Sequence, residues 1–102
     1  MLDIMKQAQK LQSRMADMQA ELEAAEVEGR AGGGLVTVAM SGKGEVKKVT
    51  IDPSLMKAEE REILEDLIVA AAADAKAKAE SIAAEKMKSV TGGLPLPPGL
   101  GL

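Results

Sequence analysis

Leu35-Val36-Thr37-Val38-Ala39-Met40-Ser41-Gly42-Lys43-Gly44-Glu45-Val46-Lys47-Lys48-Val49-Thr50-Ile51 reads as a β-hairpin. Two β-branched runs lie either side of Ser41-Gly42-Lys43-Gly44, a composition that joins antiparallel strands. Alternation puts Val36, Val38 and Met40 on one face of the first strand. In the second strand Val46 is out of phase with Val49 and Ile51, and a bulge near Lys47-Lys48 returns all three to one apolar face. Upstream, Glu26-Val27-Glu28-Gly29-Arg30-Ala31 reads as a short edge strand, joined to the hairpin by a hinge at Gly32-Gly33-Gly34. Downstream, Asp52-Pro53-Ser54 turns the chain, because the residue before a proline is held extended.

A long helical segment flanks this sheet on each side. Residues 2 to about 24 carry apolar side chains at Ile4, Ala8, Leu11, Met15, Met18 and Leu22, a 4-3-4-3-4 spacing with no Gly or Pro. That spacing is a heptad seam, and it suits both packing on the chain's own core and pairing with another helix. The second helix runs from about Ala58 to Val90. Glu59, Glu60, Glu62, Glu65 and Asp66 crowd its start, and Lys86 and Lys88 lie near its end, as the helix dipole favours. Its apolar stripe includes Ile63, Leu64, Leu67, Ile68, Ala71, Ala75, Ala79, Ile82, Met87 and Val90, and Gly92-Gly93 stops it. The Pro/Gly-rich segment from Leu94 to Leu102 reads as a flexible tail.

The chain has 102 residues, 46% of them hydrophobic, and contains no Cys, His, Trp, Tyr or Phe. These absences exclude zinc fingers, iron–sulfur sites, cysteine nucleophiles and Ser-His-Asp triads. They also exclude the aromatic platforms on which single-stranded nucleic acids stack. A core of small aliphatics and Met is thin at this length. A helix of about 33 residues would reach about 50 Å, well beyond a compact domain with a radius of gyration of about 13 Å. Both observations point to a second copy that supplies part of the core. Met1-Leu2-Asp3-Ile4-Met5-Lys6-Gln7 lacks the pattern of a signal peptide. The longest apolar run, Leu67 to Ala73, is far short of the ~20 residues of a membrane span. The expected location is therefore the cytoplasm.

The formal net charge of −3 weighs against a polyanionic partner, but local charge is uneven. Lys6, Lys10 and Arg14 stand against Asp3 alone and form an i, i+4, i+8 stripe off the apolar seam. The same flank then turns acidic at Asp17, Glu21 and Glu28. Lys76, Lys78, Lys86 and Lys88 make a second basic set on the distal half of the second helix, and Lys43, Lys47 and Lys48 a third on the hairpin. Such sets neutralise phosphates without a net positive protein, and they equally form solvated faces. Gly32-Gly33-Gly34 is no phosphate loop, since no Gly-Lys-Ser/Thr follows and a strand comes next. The acids from Glu59 onward open a helix, with no partner base in sight.

The chain resembles the YbaB/EbfC family of nucleoid-associated, DNA-binding proteins. The matching stretches are Met5-Lys6-Gln7-Ala8-Gln9-Lys10-Leu11-Gln12, Val27-Glu28-Gly29 with Ala31-Gly32-Gly33-Gly34, and Val49-Thr50-Ile51-Asp52-Pro53. They continue through Leu64-Glu65-Asp66-Leu67-Ile68-Val69-Ala70-Ala71, Asp74-Ala75, Glu85-Lys86-Met87 and Thr91-Gly92-Gly93. One departure is Ala73, where many members carry Asn. The resemblance implies an α+β fold of order α-β-β-β-α, with a small three-stranded antiparallel sheet and two long helices in a tweezers-like dimer. Residues 1–93 would form the single domain, followed by the tail 94–102.

The resemblance also implies binding of double-stranded DNA through basic helix faces, with a role in nucleoid organisation and gene regulation. On this reading Lys6, Lys10, Arg14, Lys76, Lys78, Lys86 and Lys88 contact DNA. No catalytic residue, cofactor, metal, membrane or small-molecule substrate is expected, and the protein is no enzyme. The competing reading is a structural adaptor whose helices dock onto other proteins.

Overall fold

The computed structural model describes residues 2–91; the helix stop at Gly92-Gly93 and the tail from residue 94 lie outside them. The elements are α1 (Leu2–Ala24), β1 (Glu26–Ala31), β2 (Val36–Ser41), β3 (Val46–Ile51) and α2 (Arg61–Thr91). The strands form one antiparallel sheet in the order β1-β2-β3, so the chain adopts the expected α+β arrangement. Ala39 pairs with Lys48 and Met40 with Val46, which leaves Lys47 as the additional residue of a β-bulge. Val46, Val49 and Ile51 thereby stand opposite Met40, Val38 and Val36, and all six share one face.

The α2 helix lies on that face. Its stripe of Ala71, Ala75 and Ala79 is fully buried against Val27, Val36, Val38 and Met40. Burying each of the two central valines contributes roughly 1.5–3 kcal/mol. The alanines let helix and sheet approach closely, and Gly29 of β1 makes the closest approach. A methyl group there would overlap the Ala71 carbonyl oxygen and the Ala75 amide nitrogen. The helix sits over β1 and β2 and leaves much of β3 uncovered, so Val46 remains 57% exposed. Gly32, Gly33 and Gly34 turn the chain between β1 and β2 with φ of +63°, +69° and +96°, values that residues with a Cβ adopt only under strain. At the exit of β3, the Asp52 carboxylate accepts from the Ser54 amide at 3.0 Å, and hydrogen bonding from Ser54, first its hydroxyl and next this amide, holds the Asp52 pKa below the usual aspartate value.

Side chains of α2 also close the free edge of β1. Asp74 accepts from the Arg30 backbone amide at 3.1 Å, and the Lys78 ammonium donates to the Glu28 carbonyl at 2.7 Å. Asp74 and Lys78 are one helical turn apart and pair with each other at 3.2 Å. Two outward-facing backbone groups that could recruit a foreign strand are thus occupied. The Arg30 amide, and next the Lys78 ammonium, hold the Asp74 carboxyl below its ordinary pKa.

The hairpin tip caps the end of α1. Gly42 donates its amide to the Leu22 carbonyl at 2.9 Å, and the Lys47 ammonium donates to the Glu23 carbonyl at 3.2 Å. These are two of the carbonyls that a helix C-terminus leaves unpaired. Lys43 adds an ion pair to the Glu23 carboxylate at 3.0 Å. From this anchor α1 runs antiparallel to the distal half of α2. Met18 and Leu22 bury against Val90, with Met15, Ile82 and Ala83 around them, and Lys86 pairs with Glu21 at 3.0 Å. The heptad seam is therefore divided. Its C-terminal half packs within the chain, while Ile4 stays 70% exposed. The molecule measures 67 × 26 × 16 Å with a radius of gyration of 18.9 Å, far above that of a compact domain of this length.

Replacing Gly29 by Ala forces α2 off the sheet, since the obstructing atoms are backbone. Overpacking of this kind costs about 1–3 kcal/mol or more, so the melting temperature of G29A should drop by about 10 °C or more. An unchanged melt would show that helix and sheet do not meet at this residue. Acid should loosen the β1 edge. The folded pKa of Asp74 is depressed, so its stabilisation is present above about pH 4, where an unfolded-chain aspartate is ionised, and is lost as pH falls through the folded value. In urea melts, Asp74→Asn should be less stable than the parent at pH 7 and should lose less on going to pH 3. Equal losses would place the acid sensitivity elsewhere.

Candidate nucleic-acid interface

Among the described residues, the α1–α2 contact reaches as far as Arg14 and Met18 beside Ser89 and Val90. Residues 3–13 of α1 lie beyond this level and are exposed throughout. They form a helical arm of about 17 Å at 1.5 Å per residue. An uninterrupted run of good helix formers keeps it helical without a covering layer. Its outward flank carries Lys6, Lys10 and, at its base, Arg14. None of the three has an ion-pair or hydrogen-bond partner among the described residues. Three unopposed cations spaced about 6 Å apart on a rigid rod can meet successive phosphates of a nucleic-acid backbone.

The four lysines of α2 divide differently. Lys86 is spent on Glu21 of α1, and Lys78 on Asp74 and the Glu28 carbonyl. Lys76 is exposed and lines a shallow groove with Lys43 of the hairpin, on the sheet side of the molecule. Lys88 is exposed near the end of α2, level with the base of the α1 arm. The structure therefore brings Arg14, Lys86 and Lys88 to one end and leaves Lys76 and Lys78 about 15–20 Å back along α2. Of the hairpin set, Lys43 and Lys47 hold the end of α1, and Lys48 is exposed on the opposite face of the sheet from α2.

Two acids define this end of the molecule as much as the cations do. Arg14, Asp17, Glu21, Lys86 and Ser89 line the cleft between the helices, so its charges cancel. Glu21 as the partner of Lys86 was invisible in the sequence, because the two are far apart in the chain and meet only through the antiparallel packing. The i, i+4 spacing of Asp74 and Lys78 was a readable signal that Lys78 has a structural task. Among the described residues, no group of three or more Asp and Glu is placed to hold a metal, and no helix is long and apolar enough to cross a membrane.

The YbaB/EbfC DNA-binding family matches residues 1–94. A nucleoid-associated protein of Rhodopseudomonas palustris is 64% identical over 101 residues, covering 99% of this chain and 95% of that protein. Another, from Bradyrhizobium diazoefficiens, is 64% identical over 99 residues, covering 97% and 93%. The crystal structure of an uncharacterized Helicobacter pylori protein shares the fold, with a TM-score of 0.78 at 20% identity over 87% of this chain and 94% of that one. With a family match over residues 1–94 and relatives 64% identical along nearly the whole chain, the chain belongs to the YbaB/EbfC DNA-binding family, and those relatives are named nucleoid-associated proteins.

Proposed function

We propose that the protein binds double-stranded DNA as a homodimer in the cytoplasm, at the nucleoid, and contributes there to nucleoid organisation and gene regulation. The observation that carries this reading is the α1 arm, with Lys6, Lys10 and Arg14 exposed and unpaired among the described residues. Lys88 and Lys76 assist, Lys88 from the same end of the molecule. Lys78 and Lys86 contribute mainly by holding β1 and α1 in place. A second copy would cover what one chain leaves bare: Ile4 and Leu11 on the seam, and Val46 and Val49 on β3. Two arms then present two basic stripes to one duplex. The chain has no aromatic side chain, which favours duplex over single strands.

In solution the protein should run at twice the chain mass in light scattering coupled to size exclusion at micromolar concentration; a monomer would remove the two-arm picture. Six phosphate contacts from two arms give a slope of log K against log salt of about −5. The triple change Lys6→Glu, Lys10→Glu and Arg14→Glu should abolish retention of duplex in gel shifts while mass and helical circular dichroism stay as in the parent. The adaptor reading predicts no duplex binding at physiological salt. Parent-like binding by the triple variant would move the contact to other lysines.

A further inference from the structure

The basic flank of α1 does not fade out; it reverses sign. Lys6, Lys10, Arg14, Asp17 and Glu21 all fall within about 80° of arc on the helix, so they form one continuous stripe. Its cationic part spans about 12 Å from Lys6 to Arg14, and the first carboxylate stands about 4.5 Å further on. The structure treats the two acids differently. Glu21 is neutralised by Lys86 at 3.0 Å, which also straps α1 to α2. Asp17 is exposed, borders the same cleft and has no ion-pair partner among the described residues. Its charge faces outward on the flank that Lys6, Lys10 and Arg14 present to DNA.

We propose that the Asp17 carboxylate ends the DNA footprint along α1, confining the phosphate contacts of that helix to the stretch from Lys6 to Arg14 and keeping the duplex out of the cleft between α1 and α2. The inference rests on duplex binding by the arms and adds where that binding stops. A phosphate that advanced past Arg14 would meet the unpaired Asp17 carboxylate on the stripe and, beside it, a Lys86 already neutralised by Glu21. Such a boundary makes the arms grip with their tips, so the duplex is held away from the sheet and across the open end of the molecule.

Removing or reversing this one charge tests the boundary. With Asp17→Asn, duplex affinity at about 0.1 M salt should rise about two- to fivefold with little change in salt slope, because a repulsion is lost and no cation is gained. With Asp17→Lys the stripe lengthens by one contact on each arm. The slope should then steepen from about −5 to about −7, and affinity should rise about tenfold or more. The control is Glu59→Lys, which makes the same change in net charge at the opposite end of α2, about 40 Å away and several Debye lengths from the arm. It should bind within about twofold of the parent. Circular dichroism and molar mass verify that each variant is folded as the parent is. Parent-like binding by Asp17→Asn and Asp17→Lys would overturn the boundary. So would equal tightening by Asp17→Lys and Glu59→Lys, which would trace the effect to overall charge. Failure of the parent itself to bind duplex at low salt would instead remove the DNA-binding reading on which the boundary depends.

Discussion

Gly29 lies so close to the backbone of α2 at Ala71 and Ala75 that a methyl group cannot be placed there. Most of the structure follows from this contact. A chain without aromatic side chains cannot fill a wide gap between helix and sheet, so it closes the gap instead, with glycine on one surface and alanine on the other. Close approach seats α2 over β1 and β2 and sets its axis. Once the axis is set, Asp74 and Lys78 reach the free edge of β1, and the distal half of α2 is aimed past the sheet to receive α1. The narrowness of the same core explains what stays bare. One helix covers two strands well and a third poorly, which leaves Val46 and Val49 of β3 exposed.

The charged residues divide by what the backbone needs. Strand edges and helix ends carry unpaired amides and carbonyls, and lysine and aspartate satisfy several of them here: Asp74 and Lys78 on β1, Lys47 at the end of α1. A further group fastens one element to another through carboxylate pairs, namely Lys43 with Glu23 and Lys86 with Glu21. Among the cations left over from both tasks, Lys6, Lys10 and Arg14 stand together on the α1 arm. The proposed phosphate contacts are therefore assigned to the arm, even though the whole chain is acidic. Counterion release depends on the cations at the contact and takes no account of carboxylates at the far end of a 67 Å molecule.

Much of this was legible in the residues alone. Period-2 alternation and the turn at Ser41-Gly42-Lys43-Gly44 determined the hairpin, and the out-of-phase Val46 located the bulge that the structure places at Lys47. The 3.5-residue seam and the unbroken alanine-rich stretch determined two long helices, and Asp52-Pro53 determined where the last strand ends. These are local properties, set by side-chain direction and backbone preference within a few residues. Tertiary structure alone decided which lysines are free. Lys6 and Lys78 look alike in sequence, each a cation on one flank of a long helix. One projects on an unsupported arm, and the other is drawn 2.7 Å from a carbonyl of β1, fifty residues away in the chain. It also decided that the heptad seam splits between an inner half packed on α2 and an outer half left exposed, because that depends on where α2 stops along α1. Sequence determines which groups are charged or apolar; the packing of distant elements determines whether a partner is within reach, and a charge acts on DNA only when no such partner has claimed it.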